Sequence, residues 1–265
     1  MRAFEFSQGS LPLLIIVPHI GTQLTPDVSA GLVPAARALP DTDWHQEKLW
    51  QFARAAGASI LMANYSRMVI DLDSPPPDGR ADSQAISALW PQTMQDGTPN
   101  FIPGKAPGGK DREQVFEQIW KPWHQQINKE LQRLKAQYGY AQLLDIQSAP
   151  SALITSRADI TLLTRQGESC PPPVLAAITD VLDKQKHFRY TVDGPQQGGY
   201  SLQTARPGDG ICALQLIIAR HLYMDEKPPY RWLPAKAQQL QPVLTQLIAA
   251  YLNGVREWAT TPAPH

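Results

Sequence analysis

Short stretches of the chain carry side chains able to do hydrolytic chemistry. PHIG, residues 18–21, sets His19 just past a continuously apolar run, LPLLIIV. DTDWH supplies Asp43 and His45, SRMVIDLD supplies Arg67, Asp71 and Asp73, and LLDIQSAP, residues 143–150, supplies Asp145 and then Gln147. In open α/β sheets ligands bind just beyond the carboxyl ends of strands, and His19 and Asp145 both sit where an apolar run gives out. An aspartate there can be an acid, a base or a partner to a metal site. A primary amide such as Gln147 does none of these well. The stretch predicts a strand that ends at Ile146, with Gln147 and Ser148 leaving it for a loop.

Positioning these groups requires a sheet. Residues 11–17 are apolar throughout, which predicts a central strand buried on both faces. ASILMANY and SRMVIDLD read as successive short strands broken near Tyr65, and AQLLDI, ADITLLT, HFRYTV and ICALQLII as later ones. LPDTDWHQEKLWQFARAAG predicts a helix with Asp41, Thr42 or Asp43 as N-cap and Gly57 as its stop. Val115, Phe116, Ile119, Trp120, Trp123, Ile127, Leu131 and Leu134 recur at helical steps, and Pro122 among them predicts a kink or a restart. PVLAAITDVLDKQ and residues 234–258 complete the helices. Strands alternating with helices predict an α/β fold, a mostly parallel or mixed sheet flanked by helices, in one domain spanning residues 1–265. Residues 73–110, rich in Pro, Gly, Asp and Ser, form a long excursion expected to cover the strand ends as a lid.

Composition narrows the function classes. Lys plus Arg and Asp plus Glu both number 24, so no strong field exists to draw nucleic acid or an anionic membrane. The opening MRAFEFSQGS has too short an apolar run for a secretory signal, and no later run approaches a membrane span. Cys170 and Cys212 make a poor disulfide framework and read as reduced, buried thiols of a cytoplasmic protein.

PLLIIVPHIGTQLTP, LVPAARALPDTDWH, YSRMVIDLDSPP, ALWPQTMQDGTPNF, QGGY and ALQLIIARHLYMDE follow one another as the landmarks of the N-formylglutamate amidohydrolase (formylglutamate deformylase) family do. The resemblance covers nearly the whole chain. It implies an α/β fold related to zinc carboxypeptidases and aspartoacylase. It also implies zinc-dependent removal of the formyl group from formylglutamate, a step of histidine degradation. A hydrolytic zinc holds three protein ligands and one open position. By resemblance His19 matches the histidine of the family's PH-small-G motif and Asp43 matches its acid. Gln147 stands where the family's Asp-x-His-Ser motif has its third ligand.

Other positions depart as well. The family's DLNRP is DLDSP here, so Asp73 replaces Asn and Ser74 replaces an Arg that grips substrate carboxylate. The family's Arg-His after GG-aromatic is replaced by Ser201-Leu202-Gln203-Thr204, with Arg206 as a candidate substitute. The Glu taken as general base is Ile217, which moves no proton. Arg67 matches an arginine that could polarise a carbonyl or simply pair with Asp71 or Asp73. Gly199 and Tyr200 match the substrate loop, and Asp145 could orient His19 as an acceptor.

Two readings stay open. One is an amidohydrolase for another small N-acyl amino acid, with Asp73 as base, Arg67 and Asp145 assisting, and zinc held by His19, Asp43 and a replacement ligand. The other is a pseudoenzyme that binds a small ligand or a partner protein. Whether any zinc is held, and in what oligomeric state, the residues leave undetermined.

Overall fold

A computed structural model describes residues 1–77, 88–154, 156–194 and 198–260. One mixed sheet of seven strands organises it: β1 (Phe4–Ser7), β2 (Leu13–Val17), β3 (Ser59–Ala63), β4 (Ala141–Ala149), β5 (Ile160–Leu163), β6 (Tyr190–Val192) and β7 (Ile211–Ala219). Their order across the sheet is β1-β3-β2-β4-β7-β5-β6. The β3-β2-β4-β7 pairings and the β5-β6 pairing are parallel, while β1-β3 and β5-β7 are antiparallel. The fully apolar β2 lies inside the sheet, as its composition requires. The edge strand β1 has no such signature and was not legible as a strand.

Helices cover both faces. One face packs α6 (Pro172–Lys184) and α7 (Pro234–Thr260) on Leu144, Ile146, Leu214 and Leu216. The other carries α4 (Gly109–Val115) and α5 (Lys121–Tyr138) against Leu14, Ile16, Leu143 and Ala213. Between α4 and α5 lies a single π-helical turn, Phe116–Trp120, so Pro122 falls in the first turn of a restarted helix that needs no N–H from it. Smaller helices α1 (Pro26–Gly31), α2 (Gln46–Leu49) and α3 (Gln51–Ala56) lie between β2 and β3.

Three local expectations are corrected. SRMVIDLD is not a strand: the Ser66 carbonyl accepts from Val69 N–H at 2.9 Å and its hydroxyl from Met68 N–H at 3.2 Å, which curls the segment into turns. The 41–57 helix breaks at Trp50 and begins at Gln46, after His45 in the left-handed region at φ 67°. Asp43 therefore caps nothing; its N–H donates to the His19 carbonyl at 2.9 Å. Finally, β4 continues to Ala149, so Gln147 and Ser148 lie within the strand.

Side chains alternate along a strand, and on the α5 face β4 and β7 change character along their length. Ala141 and Leu143, with Ile211 and Ala213 beside them, are apolar; Asp145 and Gln147, with Gln215 beside them, are polar. The apolar half is closed by Trp123, fully buried on α5. Trp123→Ala should cost about 3–5 kcal/mol of unfolding free energy in a denaturant titration. A loss below about 1 kcal/mol would contradict this packing.

Candidate functional site

The loop after β2 delivers His19 to the carboxyl ends of the strands, where it is buried. Its Nε2 lies 2.8 Å from Asp71 Oδ1, and its Nδ1 is 4.0 Å from Asp43 Oδ2. Burial opposes a charge on the ring, but the carboxylate and hydrogen bond of Asp71 outweigh it, and the imidazole is pushed up to about 9. Burial likewise opposes ionisation of Asp71, yet the charges of His19 and Arg67 hold its carboxyl well below the usual carboxylate range. Arg67 Nη2 donates to Asp71 Oδ2 at 2.7 Å, and Nη1 lies 3.7 Å from Asp41. Asp71 therefore orients His19, the part expected of Asp145. His45 turns away to the Tyr230 carbonyl at 2.6 Å.

Asp43 has a buried cation of its own. Its Oδ1 accepts from Ser148 Oγ at 2.7 Å and lies 3.4 Å from Arg220 Nη2. Arg220 Nε also donates to Ser148 Oγ at 3.1 Å. Arg220, 2% exposed, went unnoticed in the sequence as a site residue, although a lone arginine closing the apolar run of β7 is the signal that points to it. Among the described residues none donates a hydrogen bond to Asp43 Oδ2.

A second cluster lies at the end of β4. Asp73 Oδ2 accepts from Gln147 Nε2 at 2.7 Å and Gln215 Nε2 at 2.8 Å. Its Oδ1 accepts from Ser201 N–H at 3.0 Å and lies 2.8 Å from Ser201 Oγ. The same amides reach the fully buried Asp145, Gln215 at 2.9 Å and Gln147 at 3.3 Å. Carboxylates on every side fix both amides with their NH₂ groups inward. The Ser201 hydroxyl also contacts Asp145 Oδ2, and with one proton it can donate to only one carboxylate. Burial raises both carboxyls above their usual range, and for Asp145 the neighbouring Asp73 charge adds to it. The pair therefore resists double ionisation.

Beside this cluster opens a cleft of about 720 Å³. Arg67, Gln95, Gln147, Ser148, Gln215 and Ile217 are among its lining residues. Tyr200 and Arg206, expected to bind substrate, line a different cavity, and Arg206 Nη1 is held by the carbonyls of Gln203 and Ala205. Arg206 is therefore no substitute clamp. Gly199 meets the Asp73 carboxylate, not a ligand: a Cβ on it would lie 1.6 Å from Asp73 Oδ2. Of the 73–110 excursion, Gln95 reaches the cleft, and the expected lid falls in part on residues 78–87, which lie outside the described residues.

The donors do not make a three-ligand zinc site. His19 Nδ1 and the unpartnered Asp43 Oδ2 face one another, and Asp71 behind the imidazole completes an arrangement common around zinc. The third position offers an amide already committed to two carboxyls, a poor donor to zinc. Among the described residues no three His, Cys, Asp or Glu side chains are grouped to hold a metal.

Close packing of Asp73 on Gly199 is directly testable. Gly199→Ala should lower the melting temperature through a loss of about 1–3 kcal/mol, and adding Asp73→Ala should restore part of it. Unchanged melting of the single variant would contradict the contact.

Comparison with known proteins agrees with this architecture. A model of the family described as N-formylglutamate amidohydrolase matches residues 11–224. N-formylglutamate deformylase of Pseudomonas putida is 40% identical over 256 residues, covering 95% of this chain and 96% of the relative. The enzyme of that name from Pseudomonas aeruginosa is 39% identical over 261 residues, covering 97% and 98%. The crystal structure of N-formylglutamate amidohydrolase from Ralstonia eutropha JMP134 superposes with a TM-score of 0.82 at 22% identity, covering 97% of this chain and all of that one, a likeness of fold. With most of its length matched by the family model and close relatives aligned almost end to end, this chain belongs to the N-formylglutamate amidohydrolase family.

Proposed function

We propose that this protein keeps the family's C–N hydrolase scaffold as a site for a small N-acyl amino acid or related ligand, with the zinc-dependent deformylase reaction impaired or lost. One observation carries the reading: positions that depart from the family's motifs are bonded or packed to one another. Asp73 bonds Gln147 at 2.7 Å and Ser201 N–H at 3.0 Å, and Ile217 is the register partner of Gln147. Groups that hydrolysis would need free are thus occupied. Asp73, the candidate replacement base, already receives four close donor contacts, and an alkyl group stands at the usual base position. The ligand class rests on the relatives named for formylglutamate deformylation.

A second reading is favoured by the unpartnered Asp43 Oδ2 opposite His19. In it, His19 and Asp43 hold a metal with help from outside the chain's usual motifs, and a different N-acyl substrate is hydrolysed. A wholly non-catalytic role, with a partner protein in place of a small ligand, is the alternative on the other side. The free, buried thiols of Cys170 and Cys212 suit a cytoplasmic setting, and no described helix is long and apolar enough to cross a membrane. The relation to zinc carboxypeptidases and aspartoacylase rests on the family resemblance and on a site at strand ends.

The assay is hydrolysis of N-formyl-L-glutamate by the purified protein with zinc present. Turnover should lie at least about 10²–10⁴-fold below that of a deformylase tested alongside, the usual contribution of a general base. Saturable hydrolysis at a comparable rate, abolished by chelator, would refute the proposal. A second expectation concerns coupling. Gln147→His alone removes a donor from Asp73, so pairing it with Asp73→Asn should recover about 1–3 kcal/mol of stability beyond additivity. Strictly additive melting shifts would show that the two departures are independent.

A further inference from the structure

The floor of the cleft is a row of register partners crossing four strands: Gln147 on β4, Ile217 on β7, Thr161 on β5 and Thr191 on β6. All of them line the cleft, and none carries charge. Leu163 and Ile154 extend this wall with aliphatic surface. Among the described lining residues Arg67 is the one cation, with a side chain 17% exposed, and Asp71 and Asp41 already engage its guanidinium. Asp193, the one acidic group among the described lining residues, is occupied by the backbone N–H and hydroxyl of Thr164, each at 2.7 Å.

From this distribution we infer the ligand's chemistry, resting on the reading above that the cleft binds a small N-acyl amino acid. The cleft takes an N-acyl amino acid with an uncharged aliphatic side chain. One carbonyl or carboxylate lies at the Arg67 end, and the side chain lies over Ile217 and Thr161. A second carboxylate on the ligand would be desolvated over an uncharged floor, where no described lining residue offers a cation. The nearby Asp73–Asp145 pair would repel it further. An alkyl group loses nothing there and covers Ile217. Selectivity of this kind comes as much from rejecting the charged ligand as from attracting the apolar one.

Calorimetric titration of the full chain with N-formyl-L-leucine and N-formyl-L-glutamate, at equal ionic strength, tests the inference. N-formyl-L-leucine should bind at least about tenfold more tightly, the scale set by one desolvated charge. Thr161→Arg, placing a cation in the floor row, should narrow or reverse that preference. Equal or tighter binding of N-formyl-L-glutamate by the unmodified protein would overturn the inference, and so would no binding of either compound at millimolar concentration. The comparison within the unmodified protein stands even if the variant fails to fold. Because binding preference and turnover are separate readouts, robust hydrolysis of formylglutamate would overturn the functional proposal, whereas a reversed preference without turnover would overturn this inference alone.

Discussion

A carboxyl group taken out of water must be met by donors or keep its proton, and the end of β4 is built around that requirement. Asp145 is fully buried there with Asp73 beside it. Two glutamine amides and one serine hydroxyl stand between them. The placement of the surrounding chain follows. Ser201 ties the 200–204 turn to the strand end, and Gly199 must lack a side chain because Asp73 occupies that space. An imidazole at position 147 would offer one N–H in place of an amide's two, so metal-binding and bridging chemistry compete for the same residue.

The sheet makes this arrangement possible through simple alternation. On the face covered by α5, β4 is apolar at Ala141 and Leu143 and polar at Asp145 and Gln147, with Gln215 of β7 beside them, so one pair of strands supplies core and site in turn. On the opposite face Leu144 and Ile146 of β4 with Cys212, Leu214, Leu216 and Ile218 of β7 give the apolar surface that packs α6 and α7. His19, Asp43, Asp71 and Arg67 arrive from loops beyond β2 and β3 and are fixed by mutual ion pairs, with Asp43 also held by Ser148 of β4. Breaking one pair there would strand a buried charge, so these retained residues have a structural reason to persist apart from any reaction.

Much of the fold was legible because its signals are periodic. The apolar run of β2, the long helical repeat through Trp123 and the restart at Pro122 all correspond to observed elements. SRMVIDLD misled because a run of apolar residues beside Ser66 looks like a strand until the serine caps a turn. The site was legible in its residue types and motif departures but not in its pairings. That Asp71 and not Asp145 holds His19 and that Asp43 faces Arg220 depend on contacts between distant segments. No local pattern encodes those contacts. That Asp73 and Gln147, 74 positions apart, are hydrogen-bonded could be suspected only from their both departing from one family's motifs.

Gln147 bonds two carboxyls, and under the proposed function that amide no longer serves a metal. Elemental analysis of the purified protein, equilibrated with zinc and stripped of free ion, tests this most directly. Far less than one zinc per chain, unchanged by Gln147→Ala, is the result expected. A stoichiometric zinc that is lost on His19→Ala, in protein that remains folded, would contradict it and restore the site to metal-dependent chemistry.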